Sequence, residues 1–312
     1  PIGWLRATRS RSTTSTVAPE APRRRATAIG GAAVLMWATL ALLMAQTGQV
    51  PPFLLMALAF GLAFIVACGR WLAGGDGVLA HLDYPPRVWL LGVGGLFGYH
   101  FFYFLALKNA PPVEASLIAY LWPLLIVVFS ALLPGERLRW WHLAGVLLGL
   151  VGTLVLVGRG GLDFQGRYAL GYGAALVGAL IWSSYSLLSR RFAHVSSEAV
   201  GGFCGLTAVL AALCHLALEP PLWPQGTEWL AVLGLALGPV GTAFFFWDHG
   251  VKHGDIRVLG AVSYLAPLLS TLLLVAAGLA PATWQVGAAC LLITGGAVLA
   301  ARSLLFSNHE SH

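Results

Sequence analysis

The sequence predicts an all-α integral membrane protein of ten transmembrane helices arranged as two inverted five-helix repeats. Three observations predict it. Hydrophobic residues make up 58% of the chain and charged residues 10%, against about 25% charged in a soluble domain. So little charge cannot cover a water-facing surface. The apolar residues fall in runs close to the ~20 needed to cross a bilayer. Finally, Ala119-Tyr120-Leu121-Trp122-Pro123-Leu124-Leu125 returns as Ser263-Tyr264-Leu265-Ala266-Pro267-Leu268-Leu269, with Tyr264 lying 144 residues after Tyr120.

The ten runs are expected at 27–46, 52–70, 88–107, 113–133, 140–158, 168–189, 198–218, 229–251, 257–279 and 282–301. The first carries Trp37, and the second Cys68. The third holds Gly98-Tyr99-His100-Phe101-Phe102-Tyr103 mid-span. The fourth follows Pro111-Pro112, with Glu114 in its first turn, where the helix dipole favours a carboxylate. The polar turn 134–139 separates it from the fifth, whose Gly145, Gly149 and Gly152 read as close helix packing. The sixth bears Trp182, Tyr185, Ser186 and Ser189 on one stripe. Cys204 and Cys214 fall in the seventh and Cys290 in the tenth. All four cysteines read as apolar packing residues, because no C-x-x-C pair or zinc spacing accompanies them. The eighth closes on Trp247-Asp248-His249, followed by Lys252, His253 and Asp255. The ninth contains Pro267. No run leaves room for a soluble domain.

Charge sets the expected orientation. With the N-terminus inside, 15 of the 18 Lys and Arg fall on inside segments, leaving Lys108, Arg159 and Arg167 outside. The pI of 9.4 thus reflects membrane topology. A nucleic-acid partner is not expected, since the basic residues are scattered over short loops without a patch. Residues 1–26 read as a flexible cytoplasmic tail without the apolar core of a signal peptide. Residues 303–312 form a second polar, cytoplasmic tail.

The repeat extends beyond the motif. An offset of 144 pairs Phe101 with Phe245, Lys108 with Lys252, Trp140 with Trp284 and Gly152 with Gly296. It also sets Gly95 against Pro239. Nearer the N-terminus an offset of 145 pairs Trp37 with Trp182. Ten spans over two repeats give five each, 27–158 and 168–302. Because five is odd, the second copy must enter from the opposite side, a plan common in secondary transporters.

The stretches Phe101–Ala110, Glu114–Leu125, Leu133–Leu138 and His142–Gly152 resemble the EamA-type repeat of the drug/metabolite transporter superfamily. The resemblance covers Ala26 to Arg302 in both halves. The aromatic load and the segment 98–103 are most similar to the YddG-type aromatic amino-acid exporters. The second half departs from the repeat at Gly278-Leu279-Ala280, which has no acid to match Glu136. The resemblance implies a multi-pass protein of the bacterial inner membrane that exports amino acids, aromatic and other apolar ones included.

Residue types point to the same chemistry. Tyr99 and Tyr103 share a helix face beside His100, and an imidazole at membrane depth points to a cavity or a polar partner. With Tyr120 and Tyr264 of the repeated motif, Trp37, Trp182, Tyr185, Ser186 and Trp247, they are the candidate substrate-binding set. Asp248 joins that set either as a cavity acid or as an interfacial one. Pro123 and Pro267 remove a helical hydrogen bond each and are candidate hinges. Lys108 and Lys252 read as snorkelling to the membrane surface, while their matched positions leave a gating role open.

No G-x-S-x-G, H-E-x-x-H or Walker loop is present, so an enzyme is not expected. Without an ATPase domain, transport is passive or driven by an ion gradient. A channel suits matched prolines less well than alternating access. The alternative substrate class is a drug or cationic metabolite, held by Asp248 or Glu114. No cofactor or metal is expected, and the predicted partners are a small-molecule substrate and lipid, around a monomer.

Overall fold

The computed structural model describes residues 20–134, 137–158 and 162–302. Among them the structure is helical, without a strand. Among the described residues, nine helical stretches are long and apolar enough to cross a membrane: α1 (Ala21–Met44), α2 (Pro52–Ala73), α3 (Pro86–Asn109), α4 (Pro112–Leu132), α5 (Trp140–Val157), α6 (Gly166–Phe192), α7 (Ala199–Leu218), α8 (Glu228–His253) and α9 (Ile256–Ala276). A tenth apolar helix, α10 (Trp284–Ala300), is shorter, at 17 residues.

Proline sets where three of these helices start. Pro52, Pro86 and Pro112 each stand at the first helical position, where the missing N–H would have had no helical acceptor. Glu219 at the end of α7 supports the start of α2, accepting from Phe53 N at 2.8 Å and Leu54 N at 3.1 Å.

The first helix departs from expectation. Regular helix begins at Glu20 rather than near residue 27. Part of the expected tail is therefore helical, and its Arg23 pairs with Asp255 at 2.9 Å. Residues 1–19 and 303–312, with Gly135, Glu136 and Arg159, lie outside the described residues.

Packing runs mainly between the two halves. The closest partners are α5 with α10, α3 with α6, α1 with α8 and α2 with α7, followed by α4 with α6 and α9 with α1. Exchanging each helix for its sequence counterpart reproduces that set of pairs. Small residues permit the tightest of them. A side chain at Gly145 of α5 would strike the Gly296 carbonyl of α10, and one at Gly149 would strike the Tyr264 ring.

Two helices break at matched places. α4 stops at Ala119 and resumes at Trp122, while α9 stops at Val262 and resumes at Leu265. Each break lies just upstream of the repeated proline, which has no N–H for the carbonyl four residues earlier. A third irregularity, a π-turn at Gly238–Thr242 of α8, has no counterpart in the unbroken α3. Pro239 there has no N–H to donate, and one turn on Thr242 Oγ1 donates to the Leu237 carbonyl at 2.6 Å.

Candidate functional site

The two halves enclose a cavity of about 270 Å³. Tyr99, His100 and Tyr103 reach it from α3, and Tyr120 and Trp122 from the break in α4. Trp37 of α1 and Trp182 of α6 line it in contact with each other, edge to face, with ring centroids 5.9 Å apart. Pro239, Val240 and Phe244 arrive from α8 around the π-turn, and Ala266 and Ser270 from α9. Exposed Leu40 and Met44 carry the cavity to the surface at the C-terminal end of α1.

The walls are aromatic but carry polar atoms. Tyr99 and Tyr103 stack with ring planes 4° apart and centroids at 5.9 Å. Tyr103 Oη shares a hydrogen bond of 3.1 Å with Ser116 Oγ. His100 Nδ1 lies 2.7 Å from the Leu96 carbonyl. A carbonyl only accepts, so Nδ1 carries the proton and Nε2 is left for a second partner. Trp37 Nε1 donates to the Pro239 carbonyl at 3.0 Å, which satisfies a group exposed by the π-turn. None of the described residues lining the cavity is Asp, Glu, Lys or Arg. No group of three His, Cys, Asp or Glu able to hold a metal occurs among the described residues.

Six of the sequence-predicted site residues therefore meet in one cavity: Trp37, Tyr99, His100, Tyr103, Tyr120 and Trp182. The other five lie outside its lining. Trp247 is fully buried beneath Trp182, the rings stacked at 6.2 Å, and donates to Ser186 Oγ at 3.0 Å. Tyr264 is fully buried and donates through its hydroxyl to the Tyr120 carbonyl at 2.9 Å.

Asp248 and Tyr185 belong to a polar cluster below this floor. Asp248 is 1% exposed and is not part of the cavity lining. It accepts from Ser197 Oγ at 2.6 Å and Tyr185 Oη at 3.3 Å, and pairs with Lys252 at 2.7 Å. Lys252 also donates to the Val195 carbonyl at 3.1 Å. The expectation that Lys252 snorkels is thus corrected: at 7% exposure its ammonium faces inward, because a carboxylate one helical turn back compensates its desolvation. Lys108, its counterpart, is exposed. Glu114 is buried and accepts from Asp163 N at 3.2 Å.

A second charged cluster lies at the same end. Asp255 pairs with Arg23 at 2.9 Å and Arg257 at 2.8 Å. Burial pushes its carboxyl up, but hydrogen bonding and charge from Arg257, with the charge of Arg23, outweigh burial and hold it below the ordinary value of 3.8. Arg257 further donates to the Arg137 carbonyl at 2.7 Å. Arg190 ties the Val251 and Gly254 carbonyls at 2.9 and 3.0 Å. One end of the bundle is therefore closed by buried charges, while the cavity opens at the other.

Sequence reasoning missed Trp122, Phe244, Ala266, Pro239 and Ser270. The repeat held a signal for three of them: Phe244 is the counterpart of His100, and Trp122 and Ala266 are counterparts of each other.

The EamA-like transporter family model matches residues 27–158 and again 169–302. The chain is similar to the aromatic amino acid exporter YddG of Ancylobacter novellus, 59% identical over 280 residues that cover 89% of this chain and 97% of that protein. It is also similar to the aromatic amino acid exporter YddG of Escherichia coli, at 28% identity with the same coverage of each. A solved crystal structure that is 57% identical superposes with a TM-score of 0.86, covering 90% of this chain and 98% of that one.

Proposed function

The chain belongs to the EamA-like transporter family, and from that premise we propose that it exports amino acids, aromatic and other apolar ones included, by alternating access. One observation carries the reading: an aromatic cavity without formal charge opens at one end, while buried ion pairs close the other. Rings can stack on an aromatic side chain and hold an ammonium through cation–π contact. Tyr99, Tyr103, Tyr120 and His100 supply partners for the carboxylate and ammonium. The substrate sits against Trp37 and Trp182, with Trp247, Tyr185, Ser186 and Asp248 supporting the floor and Tyr264 the α4 break.

In this reading ten helices form two inverted five-helix repeats, 27–158 and 168–302. The exchange-invariant pairing of helices and the matched breaks in α4 and α9 support it. Pro123 and Pro267 act as hinges. The charge bias supports cytoplasmic N- and C-terminal tails in a bacterial inner membrane, so the cavity faces outward here. The protein works as a monomer in lipid, without cofactor, catalytic chemistry or nucleic acid.

The test is uptake of a labelled amino-acid panel into proteoliposomes. Phenylalanine and tryptophan should compete, and organic cations should not. Competition by organic cations alone would overturn the reading in favour of a drug or cationic-metabolite exporter. The acids expected to hold a cation in that alternative are otherwise occupied: Asp248 is engaged by Lys252 and Glu114 by the Asp163 amide.

A further inference from the structure

Three hydrogen bonds are made on one side of the repeat only. Lys252 Nζ donates to the Val195 carbonyl, Tyr264 Oη to the Tyr120 carbonyl and Trp37 Nε1 to the Pro239 carbonyl. Donor and acceptor have counterparts in the other half in every case. Lys108 matches Lys252 and Tyr120 matches Tyr264 at an offset of 144, and Gly95 matches Pro239. Val50 matches Val195 and Trp182 matches Trp37 at 145. Val50 and Val195 occupy equivalent places, in the links from α1 to α2 and from α6 to α7. The counterpart bonds are unmade: among the described residues, Lys108 forms no hydrogen bond or ion pair and stands exposed beside the open end.

In an inverted repeat, exchanging the conformations of the two halves turns one facing state into the other. The bond that Lys252 makes at the closed end then becomes a bond from Lys108 at the end now open. We propose that Lys108 is the latch of the outer gate, its ammonium closing on the Val50 carbonyl as that of Lys252 closes on Val195. The proposal rests on the alternating-access reading above. It carries one asymmetry. Asp248, one turn before Lys252, has Phe104 as its counterpart. The outer latch therefore meets a carbonyl without a carboxylate and desolvates at greater cost. It holds less firmly than the inner one, and the empty carrier rests facing outward.

The test uses the full chain in membrane vesicles, with Cys68, Cys204, Cys214 and Cys290 replaced by alanine. A Ser189→Cys reporter, read with maleimide from the cytoplasmic side, measures the inward-open population. A Ser270→Cys reporter, read from the other side, measures the outward-open one. Lys108→Met should slow Ser189→Cys labelling about tenfold, the scale of one hydrogen bond to a charged group. Lys108→Arg should restore it. Lys252→Met should speed it while slowing Ser270→Cys labelling, a split that general destabilisation, which exposes both reporters, does not produce. Labelling unchanged or faster in Lys108→Met overturns the latch. No gain in Lys252→Met overturns the inner gate and the alternating-access reading with it. Should Lys108→Met fail to insert, a Val50→Cys/Lys108→Cys pair decides. In a chain carrying neither reporter, a short bifunctional thiol reagent should bridge it, read as loss of both free thiols without added mass from a second reagent. No bridging overturns the latch and leaves alternating access standing.

Discussion

The side-chain hydroxyl of Tyr264 donates to the backbone carbonyl of Tyr120 at 2.9 Å, and the two residues are counterparts 144 positions apart. The bond spans the breaks of α4 and α9. Its asymmetry is informative: the Tyr264 ring is buried, whereas that of Tyr120 lines the cavity. Tyr264→Phe should remove the bond with little change in volume. The expected cost is about 1 kcal/mol, read as a lower thermal unfolding midpoint in detergent. An unchanged midpoint would show the bond to be dispensable.

Asp248 and Lys252 should behave as a coupled pair. Removing one partner leaves a buried charge uncompensated, at about 3–5 kcal/mol. Asp248→Asn and Lys252→Met are each expected to destabilise on that scale. The double variant should recover much of the loss. Additive losses in a double-mutant cycle would argue against the pairing.

Asp255 gives a pH dependence of defined sign. Its native pKa lies below its ordinary 3.8, so it contributes stability that is present above 3.8 and lost as pH falls through the native value. The gap in unfolding midpoint between wild type and Asp255→Asn should be steady near neutrality and close in acid. A gap that widens as pH falls would contradict the sign.

Pro123→Ala and Pro267→Ala should restore a helical donor at each break and stiffen it. Transport should slow while expression stays near normal. Unchanged flux in both variants would remove the hinge role.

Trp182 forms a cavity wall and rests on Trp247. Trp182→Ala should raise the half-saturating phenylalanine concentration up to about tenfold, the scale of an aromatic contact. Alanine, without a ring, should be much less affected. Equal effects on both substrates would point to collapse of the cavity instead.

Hydropathy made the helices legible, and a 3.6-residue period put Tyr99 and Tyr103 on one face with His100 beside them. Matching Trp37 to Trp182 found both walls. The side-chain directions of Tyr264 and Trp247 were not legible, because a repeat records what the halves share and a transporter in one facing state is asymmetric. The depth of Asp248 was ambiguous for a different reason. Its spacing of four to Lys252 was visible in the sequence, but burial depends on Tyr185 and Ser197 from other segments. The π-turn also escaped notice, since Pro239 next to glycine fits a kink as well as a widened turn. The N-terminal boundary was misplaced because Arg23, Arg24 and Arg25 read as a solvated tail, whereas Arg23 is drawn into the fold by Asp255.

The absence of formal charge from the lining of the cavity has an electrical consequence. A zwitterionic amino acid brings no net charge, and Asp248 keeps its lysine, so the loaded step moves none across the bilayer. A membrane voltage of about 100 mV performs about 2.3 kcal/mol of work on each elementary charge and none on this cargo. Under the proposed function, efflux of a zwitterion from proteoliposomes should therefore be unchanged when a potassium diffusion potential is imposed, and a voltage-dependent flux would show that a charge moves with the cargo.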